Sequence, residues 1–261
     1  MSDIVTNRSG SILEIQLNRP AKKNAMTSSM YIAMADLLDA AAKDDDIRVV
    51  LWHGAGDSFS AGNDLDDFVK HPPGPGESPQ ARLISALIDF EKPIVAAVQG
   101  VAIGGGTTML GHCDFVYAGE SARFQLPFVN LALVPEFGSS YLLPLRFGYI
   151  RAAELILLGK SFDASRAAEL GFVTQVVPDQ KLLATANETA RNLAEKPAAA
   201  LQACKRLMKH AVREQLEQAA KFENVEFAAR VRSWEAREAF TAFLEKRRPD
   251  FSSTHAPATA K

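Results

Sequence analysis

The period of the apolar pattern changes along this chain, and that change limits its possible folds more than any other feature. The first half alternates strand-length and helix-length segments, and the last third is helical. Ile12-Leu13-Glu14-Ile15-Gln16-Leu17 alternates and reads as a strand, ended by Asn18-Arg19-Pro20. Thr27 or Ser28 can cap a helix reaching residue 43, with Met30, Met34, Leu37, Leu38 and Ala41 on one face. Asp44-Asp45-Asp46 is its solvated exit. Buried strands follow at 49–52 and 94–98, a helix at 81–90 between them, and a further strand at 114–118. The pattern predicts helices over 138–147, 150–158, 164–170, 182–196, 198–211, 213–229 and 234–246, with a short strand at 174–177 among them. The proline-rich stretch 71–79 suits no regular structure. Phe222, Phe227, Trp234, Phe240 and Phe243 are apolar residues in otherwise charged helices and are expected to form a stripe that meets a partner surface. The tail from Phe251 is small and polar and is expected to fray. This is an α/β chain with a helical end.

Bulk properties exclude several classes of function. At 261 residues the chain can bury a sizeable core. A net charge of −2 leaves no basic field for nucleic acid or an anionic membrane surface. No apolar run approaches the roughly 18 residues of a membrane span. The N-terminus lacks the pattern of an export signal, and Thr259-Ala260-Lys261 is not a peroxisomal tripeptide. Cys113 and Cys204 lie far apart and read as free, buried thiols in a reducing compartment. Together these features predict a cytoplasmic enzyme.

Three segments carry chemistry. Gly100-Val101-Ala102-Ile103-Gly104-Gly105-Gly106 follows a strand and opens a helix, a context in which unpaired N–H groups point outward. It lacks the spacing of a dinucleotide fingerprint and the Gly-Lys-Ser/Thr of a phosphate loop. Phe59-Ser60-Ala61-Gly62-Asn63-Asp64-Leu65 is a second glycine-bearing loop. Each loop alone also fits a close-packed turn. The third segment, Leu133-Val134-Pro135-Glu136-Phe137-Gly138-Ser139-Ser140, holds a lone carboxylate among apolar and small residues. Read alone, Glu136 also fits an acid that complements a helix dipole. No His/Cys cluster with metal spacing occurs in the sequence. His53 and His112 read as packing or capping histidines, Asp66 and Asp67 as a solvated loop face, and Lys22 as a surface lysine.

Taken together and in order, the motifs are far more specific. Asn18-Arg19-Pro20-x-x-x-Asn24-Ala25, the Ala61-Gly62 loop, Lys92-Pro93-Ile94-Val95-Ala96-Ala97-Val98 leading into the glycine triplet, Cys113-Asp114-x-Val116-Tyr117-Ala118 and Ala242-Phe243-Leu244-Glu245-Lys246-Arg247 resemble the crotonase (enoyl-CoA hydratase/isomerase) superfamily. The resemblance covers nearly the whole chain. It implies an α/β spiral of ββα units, placed at 1–195 with the active site, and a helical C-terminal region at 196–261 for trimerisation and coenzyme A contact. It implies a homotrimer or a dimer of trimers, and an acyl-CoA thioester substrate with no cofactor beyond the coenzyme A it carries. It also assigns the oxyanion donors to the N–H groups of Asn63 and Gly105. Lys23, Ala61, Asp64, Leu65, Phe243 and Lys246 become the expected coenzyme A contacts.

That chemistry is physically coherent. Removing a proton beside a thioester puts charge on its oxygen, and one preorganised N–H donor is typically worth about 3–4 kcal/mol there. The helix start at Gly105 is expected to add partial positive charge. Hydration in this family generally uses two glutamates, and the matching positions here hold Thr108 and Phe128, which are expected to shape the pocket. The segment from Phe124 to Tyr141 instead resembles the peroxisomal-type Δ3,Δ2-enoyl-CoA isomerases, which use the glutamate after proline as the single base, here Glu136. An apolar setting should raise its pKa toward the working pH. The expected activity is enoyl-CoA isomerisation in fatty-acid metabolism. The alternatives are a hydratase or other CoA-thioester lyase, and an inactive CoA-binding scaffold. The segment 71–79 is expected to border the pocket, so the sequence leaves acyl chain length open.

Overall fold

The computed structural model describes residues 2–71 and 78–252. Most of the irregular stretch expected at 71–79, and the tail beyond Ser252, lie outside the described residues.

The main sheet has six strands, β1 (Ile4–Ser9), β2 (Ile12–Leu17), β3 (Val49–Gly54), β4 (Ile94–Val98), β6 (Phe115–Gly119) and β9 (Gln175–Val177), in that spatial order. A smaller sheet is ordered β5 (Val101–Ile103), β7 (Arg123–Gln125), β8 (Phe162–Asp163). β1 and β2 form an antiparallel hairpin, and from β2 to β9 every pairing in the main sheet is parallel. Parallel strands are normally covered on both faces, and the alternation of side chains shows that covering here. Ile15, Leu17, Val50, Trp52, Ala96 and Val98 enter the principal core. Their neighbours Val49, Leu51, Val95 and Ala97 pack on the other face, with Leu182, Ala186 and Ala190 of a helix at Leu182–Ala194.

The helices are α1 (Ser28–Lys43), α2 (Leu65–Lys70), α3 (Pro79–Asp89), α4 (Gly105–Thr108), α5 (Ser139–Phe147), α6 (Tyr149–Leu158), α7 (Ala164–Glu169), α8 (Leu182–Ala194), α9 (Ala198–His210), α10 (Arg213–Arg230) and α11 (Trp234–Leu244). Thr27 caps α1 through its side chain, as the sequence predicts. The buried face of α1 also takes in Tyr31 and Ala35, whereas Leu37 is only half-buried. α3 begins at Pro79, because Ser78 caps it and a proline in the first turn has no N–H to satisfy. β5, β7 and β8 are too short for a readable period, and β1, in which only Ile4 is buried, has no apolar alternation, so the sequence does not announce them or the short helix α2.

Three expectations need correction. Asp67 is not a solvated loop face: its carboxylate accepts the Ser28 N–H and hydroxyl, each at 2.8 Å, tying α2 to the start of α1. Cys204 is exposed, and Cys113 is half-buried, its thiol pushed up to about 12 by burial first and by Asp114 second. The C-terminal aromatics are not one outward stripe. Phe227 and Phe240 meet Phe68 of α2 edge-on and are buried within the chain, while Phe222 and Phe243 are exposed. Leu216, Ala220, Phe227 and Phe240 thus belong to the same core as the sheet. Among the described residues no helix is long and apolar enough to cross a membrane.

Candidate active site

The two glycine loops lie against each other because one residue lacks a side chain. Gly62 has φ +85°, and a Cβ there would stand 2.6 Å from the Ile103 carbonyl oxygen. Met26 forms a parallel bridge with Asn63, using the Gly62 carbonyl and the Asp64 N–H. The residue in the middle of such a bridge turns its own N–H the other way. Among the described residues, neither the Asn63 N–H nor the Gly105 N–H has an acceptor. Both residues line one cavity of about 400 Å³. The helix at Gly105 is only four residues long before a 3-10 turn at Met109–His112 takes over. So few aligned peptides add little dipole, and the expected partial charge gives way to the two N–H groups themselves.

Glu136 lines the same cavity, is 4% exposed, and lies so close to Gly105 that a Cβ there would be 2.8 Å from its Oε1. Burial, with a lesser contribution from the charge of Glu223, pushes its carboxyl up to about 8, against a hydrogen bond from Asn63 that favours the ionised form. That bond runs from Asn63 Nδ2 to Oε1 at 3.3 Å. Among the described residues lining the cavity, Glu136 is the only carboxylate. The rest of the wall is largely apolar: Phe68, Phe128, Leu131, Leu133 and Phe227.

The structure brings together Ala61, Asn63, Leu65, Gly105, Phe128, Glu136 and Phe243. It places the other candidates elsewhere. Thr108 is buried and turns its hydroxyl back to the Gly104 carbonyl at 3.3 Å, so it does not line the cavity. Asp64 caps α2 and pairs with Arg19 at 2.8 Å. Burial would raise its pKa, but the Asp67 N–H and Arg19 outweigh that and lower it. Lys23 is exposed beside Asp57 at 3.3 Å. Lys246 is exposed just past α11, with φ +56°.

Four contributors were not foreseen. Tyr31 reaches the site from α1, Phe227 and Glu223 from α10, and Arg247 lines the mouth while paired with Glu238 at 2.9 Å. In the sequence Tyr31 sits on the apolar face of α1 and Phe227 falls in the expected outer stripe. Glu223, an acid in a charged helix, left no signal in the sequence. His53 is a packing histidine, near the Gly54 carbonyl and lowered by burial. His112 does more than pack, since its Nε2 lies 2.8 Å from the Phe137 carbonyl oxygen, one residue past Glu136.

Comparison with known proteins agrees with this architecture. The pattern of the enoyl-CoA hydratase/isomerase family matches residues 7–254, and the chain belongs to that family. It has the crotonase fold. A solved enoyl-CoA hydratase/isomerase from Pseudoalteromonas atlantica T6c superposes with a TM-score of 0.91 at 41% identity, over 96% of this chain and 100% of that one. The 1,2-epoxyphenylacetyl-CoA isomerase of Escherichia coli is 36% identical over 97% of this chain and 99% of its own. Human enoyl-CoA delta isomerase 2 is 38% identical over 82% of this chain and 55% of its own. A 2,3-dehydroadipyl-CoA hydratase of Escherichia coli is 33% identical over 96% and 99%.

Proposed function

We propose that this enzyme isomerises a 3-enoyl-CoA to the 2-enoyl-CoA, with Glu136 as the one proton shuttle. The reading rests above all on a cavity whose described lining holds a single carboxylate, beside two N–H groups with no acceptor. The thioester oxygen is held by the Asn63 and Gly105 N–H groups. Glu136 takes a proton from C2, the C–H electrons pass into the conjugated system, and negative charge collects on the thioester oxygen. Glu136 then returns the proton to C4, and the double bond is left between C2 and C3. No water enters the product, and one base at the face of the dienolate is enough. An acid of pKa near 8 suits this reversible transfer near neutral pH. Coenzyme A lies along Ala61 and Leu65 toward Phe243, with Lys23 and Lys246 reaching its phosphates from outside the cavity. The acyl chain lies on Phe68, Phe128, Leu131 and Phe227.

A hydratase needs a second group to activate water. Thr108 faces Gly104, and Phe128 has no proton to exchange. The test is spectroscopic. Supplied with a 3-enoyl-CoA, the enzyme should generate 2-enoyl absorbance. Supplied with a 2-enoyl-CoA, it should not consume that absorbance at a comparable rate. Faster hydration than isomerisation would overturn the reading, and tight CoA-ester binding with neither activity would mark a binding scaffold.

A further inference from the structure

The turn that aims Glu136 into the cavity is held by a residue from a distant helix. Phe137 and Gly138 both have positive φ, 63° and 67°. A left-handed aromatic residue is strained and persists only where its surroundings enforce it. α5 starts immediately afterwards, and its first N–H groups need acceptors. Gly138, at the cap position, has no side chain to offer. The acceptors come from α10. Glu223 takes the Gly138 N–H on Oε2 at 2.6 Å and the Ser140 N–H on Oε1 at 2.7 Å. Leu216 of the same helix fills the space where a Cβ on Gly138 would stand. His112 contacts the Phe137 carbonyl oxygen of the same turn. Burial lowers that ring to about 3, so it is neutral, and a carbonyl only accepts, so Nε2 carries the hydrogen.

We infer that Glu223 is a positioning residue for Glu136, holding through two backbone hydrogen bonds the Phe137-Gly138 turn that aims Glu136 into the cavity. The inference rests on reading Glu136 as the base. A neutral side chain could cap α5 without placing a second buried carboxylate behind the first. Burial already raises Glu223 to about 7, with the two N–H groups pulling the other way. Its charge is the second cause, after burial, of the rise at Glu136. The other groups facing Glu136 are the Tyr31 phenol from α1, itself raised by burial and by Glu136, and the neutral Asn63 amide. The C-terminal helices thus reach the reaction through the backbone of one turn.

Two variants test this, Glu223→Gln and Glu223→Asp, each compared with wild type for melting temperature, kcat, KM and the titration of Glu136. The titration is followed by infrared difference spectroscopy on isotope-labelled glutamate, with Glu136→Gln identifying the band. The titration needs no turnover, so it separates a failure of this inference from a failure of the isomerase reading. In Glu223→Gln the Glu136 midpoint should move to lower pH, because a like charge has gone. Its kcat should fall about tenfold or more as the turn loosens, with KM nearly unchanged. Glu223→Asp keeps the charge but cannot reach both N–H groups. Its midpoint should stay nearer wild type while kcat falls. An unmoved midpoint in Glu223→Gln, or unchanged kcat in both variants, would overturn the inference. If Glu223→Gln does not fold, Glu223→Asp decides: a folded variant with reduced kcat upholds the role, and one with wild-type kcat removes it.

Discussion

The Tyr31 hydroxyl donates to Asn63 Oδ1 at 2.6 Å, and this bond settles which end of the Asn63 amide faces Glu136. With Oδ1 engaged, Nδ2 is turned to the carboxylate, where it favours the ionised form. A fully buried phenol from the core face of α1 therefore orients a loop amide in the cavity. Tyr31→Phe should leave that amide free to rotate. The Glu136 midpoint should then rise and the acid limb of kcat/KM move to higher pH, the reverse of the shift expected on removing the Glu223 charge. A pH–rate profile that coincides with wild type would refute this coupling.

Glu136→Gln should abolish isomerisation while CoA-ester binding stays nearly intact. The amide keeps the size but accepts no proton from C2. Loss of a positioned base typically costs about 10²–10⁴-fold. Phe128→Ala and Thr108→Ala should cost less, Thr108→Ala least of all because its side chain faces Gly104 rather than the cavity. Steady-state rates and a CoA-ester binding isotherm check all three. If Glu136→Gln keeps more than about a tenth of wild-type activity, Glu136 is not the shuttle.

Activity should fall as pH drops through about 8, since the base must be ionised and burial holds its pKa there in the free enzyme. The profile of kcat/KM reports that free form. A limb in the ordinary carboxylate range would mean that the working base is not this buried group.

The same shift makes a prediction for stability. Glu136 keeps its proton in the folded chain up to about 8, whereas an unfolded chain loses it near 4.5. The stability this contributes is fully present below 4.5 and is lost as pH rises through about 8. Glu136→Gln cannot ionise and so avoids that loss. It should be more stable than wild type by on the order of 2–4 kcal/mol at about pH 9, with little difference at about pH 4. Urea unfolding at the two pH values measures it.

Phe68→Ala should destabilise the fold by about 3–5 kcal/mol. Its ring is buried and packs edge-on against both Phe227 and Phe240, so it joins the cavity wall to the two last helices. Urea midpoints report the loss, and a change below about 1 kcal/mol would show that the C-terminal helices do not depend on this contact.

Self-association is expected at micromolar concentration. Tyr149, Ile150, Leu157 and Leu158 on α6, with Leu207 and Met208 on α9, are large apolar residues left exposed on one chain. Such exposure is characteristic of surfaces that meet a partner. Light scattering at the mass of a single chain would count against it.

Much of the molecule is legible from sequence, for a physical reason. Strand and helix periods are local, so β2, β3, β4 and the long helices can be read from runs such as Ile94-Val95-Ala96-Ala97-Val98. The glycine loops and Glu136 are legible because their residue types are unusual where they stand, and the family follows from their order along the chain. What sequence could not supply depends on pairs far apart. Glu223 lies 85 positions from the N–H of Gly138 that it accepts, and Tyr31 lies 32 from Asn63. Thr108 and Phe128 are equally plausible pocket residues in one dimension, and packing alone turned Thr108 away. Local preference decides which residues can form an element, but a buried carboxylate's proton affinity depends on which other groups the fold places against it. For Glu136 those groups come from α1, the Asn63 loop and α10, and only the tertiary structure brings them together.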